Sequence, residues 1–190
     1  HADAVRHLQR ALQINPTAPD AWNDLGGVAM SRGEYTAAES HFEKALSINP
    51  DLPYVLANAG QAAMRLDKLP QAESLLRRAL EIDPKDSDTT DRLGLLLARQ
   101  GRHAEAKALF QRAIELDPKN ASAINNIGVL YLETGQAQDA RAAFEFGVKQ
   151  SPGNETLTMN LARVYVQGGL REMARDLLRD RVMLPDRLTP

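Results

Sequence analysis

The chain has 190 residues, 43% of them apolar, and its 23 Lys and Arg are offset by 25 Asp and Glu for a formal net charge of -2. It contains no cysteine, which excludes disulfides, thiolate zinc sites and cysteine nucleophiles. The balanced charge argues against a surface built to grip the nucleic-acid backbone, and no run approaches the roughly 18 to 20 apolar residues of a membrane span.

Taken in chain order, residues 1–18 read as one amphipathic helix and a turn, marked by Leu8, Ala11 and Pro16. A two-helix unit follows over 19–52. Pro19 suits a first helical turn, where its missing N–H is no loss. Trp22, Leu25, Gly26 and Ala29 then share one face, and Gly33 ends the helix. The second helix carries Tyr35, Ala38, Phe42, Ala45 and Leu46 on one face and stops at Asn49-Pro50, since the residue before Pro is pushed out of the α region. The same pattern restarts at Pro53, Ser87, Ala121 and Glu155, with stops at Asp67, Gly101, Gly135 and Gly169.

The units are therefore 19–52, 53–86, 87–120, 121–154 and a degenerate 155–184, with 185–190 as a tail or linker. Their register is 34 residues: Pro16, Pro50, Pro84, Pro118 and Pro152 keep it, as do Ala38, Ala72, Ala106 and Ala140. So do the large apolar residues Leu8, Phe42, Leu76, Phe110, Phe144 and Leu178. A repeat of this length predicts an all-α solenoid whose units bury their apolar faces only against neighbours. Gly26, Gly60, Gly94 and Gly128 are expected to let the two helices of a unit approach closely. Because residues 1–15 match only a second helix, the chain reads as a piece of a longer protein. Arg181, Asp186 and Pro185 mark the decay of the last unit.

These residues resemble the tetratricopeptide repeat. Trp22, Leu25-Gly26, Ala38, Phe42, Ala45 and Pro50 carry its signature in the first full unit. Ile124, Ile127-Gly128, Tyr131, Ala140, Phe144 and Pro152 carry it in the fourth, with Gly147 as the last small residue. The resemblance covers five full repeats and an N-terminal half repeat. It implies a right-handed superhelix of antiparallel helix pairs, whose first helices line a concave groove that binds a peptide or helix of a partner protein.

On that resemblance the groove wall includes Asn23, Asn58, Gln61, Arg65, Arg92, Arg99, Asn125, Asn126, Asn160 and Arg163. Asn58, Asn126 and Asn160 share one register with Asp24 and Arg92. Asn is a mediocre helix former, and its amide both donates and accepts, so such a row suits the backbone of an extended peptide. It resembles the asparagine ladder of the O-linked N-acetylglucosamine transferase superhelix; the alternative is an Asn that bonds its own repeat's turn or water. A two-carboxylate clamp fits poorly, because Asn23, Gly27 and Asp88 replace its basic and amide members. Arg65, Arg92, Arg99 and Arg163 would favour a partner with some acidic residues. Tyr54 and Tyr131 are candidate apolar contacts.

For catalysis the chain offers no phosphate loop, zinc helix motif or nucleophile elbow. His7 and His41 share a repeat position without a clustered carboxylate. Two N-x-S/T matches, at Asn120 and Asn154, lie in repeat turns and read as chance. The expectation is a non-enzymatic scaffold that needs no metal or cofactor and binds protein or peptide rather than nucleic acid. Two alternatives stay open: a substrate-recruiting arm of a larger enzyme such as a glycosyltransferase, and a head-to-tail self-assembly module. Cytoplasm and periplasm both suit the composition.

Overall fold

The structure is a computed structural model and describes residues 2–182. The predicted tail at 185–190, with Pro185 and Asp186, lies outside them, as does the side chain of Arg181. The described residues form eleven α-helices and no strand. The described residues fall into two compact units, divided between Arg102 and His103. The boundary falls within 87–120, which the register assigns to one repeat.

The first unit holds α1 (Ala2–Ile14), α2 (Pro19–Ser31), α3 (Tyr35–Ile48), α4 (Pro53–Arg65), α5 (Leu69–Ile82) and α6 (Ser87–Arg99). Pro19 and Pro53 open α2 and α4, as expected of a residue whose fixed φ suits a first turn. Asp86 opens α6 by accepting from the backbone N–H of Asp88 and Thr89 at 3.0 and 3.3 Å. Helices α2 and α3 pack as one hairpin, α4 and α5 as the next. Phe42, Ala38 and Ala45 of α3 are fully buried and pack with Ala29, Val55, Ala59 and Ala62. Helix α1 lays Leu12 against Ala21 and Leu25 of α2, with Val5 and Leu8 half-buried beside them.

The second unit holds α7 (His103–Leu116), α8 (Ala121–Glu133), α9 (Ala137–Gln150), α10 (Glu155–Gln167) and α11 (Arg171–Val182). Its core gathers Ile124, Ala140, Phe144, Leu157, Leu161 and Ala174. The contact that fixes the α8–α9 hairpin is Phe144 against Gly128: a Cβ at Gly128 would lie 2.5 Å from Cε1 of the ring. Gly147 is closed in by its own hairpin and the next alike, since a Cβ there would lie 2.7 Å from Ile124 Cγ2 of α8 and 3.0 Å from Leu157 Cδ1 of α10.

Asn120 and Asn154 are N-caps. Their side-chain oxygens accept from the backbone N–H of Ala123 and Leu157, each at 3.0 Å, and Asn120 is buried. Both residues thus have a local structural use that accounts for their place in the turns.

First helices end in a left-handed residue, which closes the last turn by bonding back to it. Gly135 takes φ +76°, whereas Asp67 holds φ 59° in the equivalent turn. An L residue in that region is strained by roughly 1–2 kcal/mol. Asp67 recovers little of this from Arg99, whose guanidinium is 3.8 Å away with both side chains exposed. Asp67→Gly is therefore expected to stabilise the first unit by about 1 kcal/mol, seen as a higher urea midpoint; an unchanged or lower midpoint would mean that Asp67 is held by more than its turn.

Candidate functional site

In the first unit, α2, α4 and α6 run in sequence as the first helices of their repeats, and their polar residues bond from one helix to the next. Asn58 Nδ2 donates to Asn23 Oδ1 at 3.0 Å, and Arg92 donates to Asn58 Oδ1 at 3.3 Å. Tyr54 donates its hydroxyl to the Asp20 carboxylate. That bond is the main cause of a phenol pushed up to about 12, with burial and the charges of Asp20 and Asp24 adding to it. Arg65 donates to the Tyr35 hydroxyl and lies over the Tyr35 ring, 4.5 Å from its centroid. Arg99 reaches the Met64 carbonyl at 3.2 Å.

Between these side chains lies an open hollow of about 380 Å³, walled by Gly27, Met30, Phe42, Asn58, Gln61 and Arg65. Its lining is mixed: amide and guanidinium groups of Asn58, Gln61 and Arg65 stand beside the side chain of Met30. Gly27 contributes by having no side chain, because a Cβ there would meet nothing within 4 Å.

The second unit repeats part of this arrangement. Asn160 Nδ2 donates to Asn125 Oδ1 at 2.6 Å, again from one first helix to the one before. Asn126 Nδ2 donates to Ser122 Oγ of its own helix at 3.4 Å. Met159 is 58% exposed beside Asn160, and Arg163 is exposed on the same helix. Tyr131 is half-buried, with Lys107 Nζ 4.9 Å from its ring centroid.

Asn58 and Asn160 bond an Asn of the preceding first helix, neither their own turn nor one another, and Asp24 is exposed. Sequence reasoning did not anticipate that the partner would be Asn23 or Asn125, 35 residues back, nor that Tyr35 would seat Arg65. The only signal was that Asn recurs one position before the register. It also passed over the ion pairs on the second helices. Lys68 Nζ lies 2.6 Å from the Glu39 carboxylate, and Arg102 lies 2.8 Å from that of Glu73.

His41 stacks on Trp22 with ring centroids 5.7 Å apart, and burial lowers its pKa. Among the described residues no group of three His, Cys, Asp or Glu is placed to hold a metal ion. No described helix is long and apolar enough to cross a membrane.

Antiparallel helix pairs of this length, with small residues where second helix meets first and a left-handed stop between them, define a tetratricopeptide-repeat solenoid. The family model described as the C-terminal domain of cilia and flagella-associated protein 70 matches residues 1–183, and the chain belongs to that family. Solved structures share the fold. MamA is 21% identical, with 90% of this chain and 98% of that chain covered at a TM-score of 0.69. YrrB, described as a TPR protein with an unusual peptide-binding site, is 22% identical, with 95% and 93% covered at 0.64. PilW, a widely conserved type IV pilus biogenesis factor, is 20% identical, with 94% and 84% covered at 0.81. No curated protein sequence matches the chain. Family and fold together support a protein-interaction scaffold.

Proposed function

We propose that the chain works by binding, without catalysis, and that the hollow between α2 and α4 holds an extended segment of a partner protein. The observation that carries this reading is the fixed rim. Asn58 is held from both sides by Asn23 and Arg92, and Arg65 is seated on Tyr35, so the groups facing the hollow need little ordering when a ligand arrives. Gln61 and the outer N–H groups of Arg65 and Arg92 supply contacts to peptide carbonyls or acidic side chains, while half-buried Met30 supplies apolar area. Arg99 extends the basic rim along α6. In the second unit, Asn125, Asn126, Asn160 and Arg163 make contacts of the same kind, with exposed Met159 beside them. The near-balanced charge favours protein over nucleic acid as the partner. YrrB, of like fold, is described by its peptide-binding site, which agrees with this reading.

The test is to select binders from a displayed library of random dodecapeptides and measure the selected peptides by calorimetry. Against a double variant Asn58→Ala, Arg65→Ala with unchanged helicity, affinity should fall at least about tenfold, which is about 1.4 kcal/mol. Peptides that bind both proteins equally would remove the hollow from consideration.

A further inference from the structure

A second ligand site emerges when equivalent positions of the second helices are compared. Residues 39, 73, 107 and 141 share one register, and residues 68, 102, 136 and 170 share another. In the first unit the first column is acidic and the second basic. Glu39 accepts from Lys68 at 2.6 and 2.8 Å. Glu73 accepts from Arg102 and, within its own helix, from Arg77 at 2.7 Å. Each carboxylate is covered by the cation that precedes the next second helix.

In the second unit the sign reverses. Lys107 sits over the Tyr131 ring, so the aromatic face answers it. Arg141 has the in-helix partner that Glu73 has, with charges exchanged: Glu145 lies four residues on, at 3.6 Å. Glu145 is shared, because it also accepts from the Tyr165 hydroxyl at 3.0 Å. The counterpart of the second partner carries no charge: the position that Lys68 and Arg102 fill in the first unit is Leu170. What remains there is a hollow of about 320 Å³ lined by Ala137, Gln138, Arg141, Val164, Gln167, Gly168 and Leu170. Its lining is mostly apolar, with one guanidinium and two amides as its polar groups.

We propose that this hollow takes an acidic side chain, Glu or Asp, from a protein partner, with an apolar neighbour of that side chain against Val164 and Leu170. The carboxylate supplies to Arg141 the second partner that Glu73 finds in Arg102, with polarity reversed, and the two glutamine amides cover its remaining lone pairs. The site lies within the second unit and is independent of the hollow between α2 and α4. It neither needs that reading nor supports it.

The experiment is an amide chemical-shift titration of the whole 190-residue chain with a capped pentapeptide, Gly-Ala-Glu-Leu-Gly, and with its Lys counterpart. The Glu peptide is expected to shift the amides of Gln138, Arg141, Gln167 and Gly168 saturably, with millimolar affinity. Arg141→Glu should weaken it at least about tenfold and make the Lys peptide the better ligand, since like charges repel where opposite ones attracted. Leu170→Glu serves as a second variant. It places a carboxylate where Lys68 and Arg102 stand in the first unit, so the chain itself should satisfy Arg141 and exclude the Glu peptide by a similar factor. Asn58→Ala should leave these shifts unchanged. No saturable shift up to about 20 mM, shifts centred elsewhere, or equal binding to both peptides would overturn the proposal.

Discussion

Phe144→Ala is expected to cost the second unit about 3–5 kcal/mol, the range for emptying a fully packed aromatic site. The ring is fully buried, and Ile124, Ala140, Leu157 and Leu161 share its cluster. Truncation removes its contacts with both α8 and α10, so one change loosens a hairpin and the next helix together. Gly128→Ala should hurt for the opposite reason. Its added Cβ would fall 2.5 Å from the ring, so Phe144 must move, at a cost of about 1–3 kcal/mol. Combining the two separates these causes. With the ring gone, the methyl added at position 128 occupies space that the ring has left, so the double variant should be less destabilised than the sum of the singles by at least about 1 kcal/mol. Units of a repeat chain open semi-independently, so hydrogen exchange over α8–α10 is the readout, with urea unfolding beside it. Additive costs would show that Gly128 does not serve to admit the ring.

The same contact shows why so much of the fold was legible. Gly128 and Phe144 occupy registers that recur every 34 residues, and a recurrence of small against large survives in sequence without knowledge of any distance. Gly33, Gly101, Gly135 and Gly169 mark their turns equally well, and Asp67 was recognisable as the exception by its place alone. The site was legible only in part. Asn58 stood out as an unfavourable helix residue, yet its bond to Asn23 depends on how far one first helix is offset from the next, and no periodicity within a helix encodes that. Arg65 on Tyr35 is a pairing of side chains on consecutive hairpins, with the same difficulty. The two charge columns on the second helices were harder still. Surface Glu, Lys and Arg are common enough that a pair 29 residues apart carries no signal until the helices are placed.

One of those pairings sets a pH dependence. Glu73 accepts from Arg77, from Arg102 and, at 3.4 Å, from Gln100, and its side chain is only 20% exposed. These bonds, led by that from Arg77, hold its carboxyl below the usual glutamate value of 4.5 despite the opposing effect of burial. A carboxylate whose pKa is lowered by folding contributes stability that is fully present above its unfolded value and is lost as pH falls through the folded one. Glu73→Gln keeps the shape but removes the charge. It should therefore destabilise the first unit at pH 7 by about 1–2 kcal/mol, after allowance for the exposure of Arg77 and Arg102. The gap to the unsubstituted chain should narrow as pH falls below the unfolded value of 4.5 and close once the folded-state carboxyl is protonated, where both side chains are neutral. Urea midpoints measured from about pH 7 down to about pH 2 decide it. A constant gap across that range would assign the loss to altered packing, and Arg102 would then be an ornament at the end of α6 rather than the clasp that ties that end to α5.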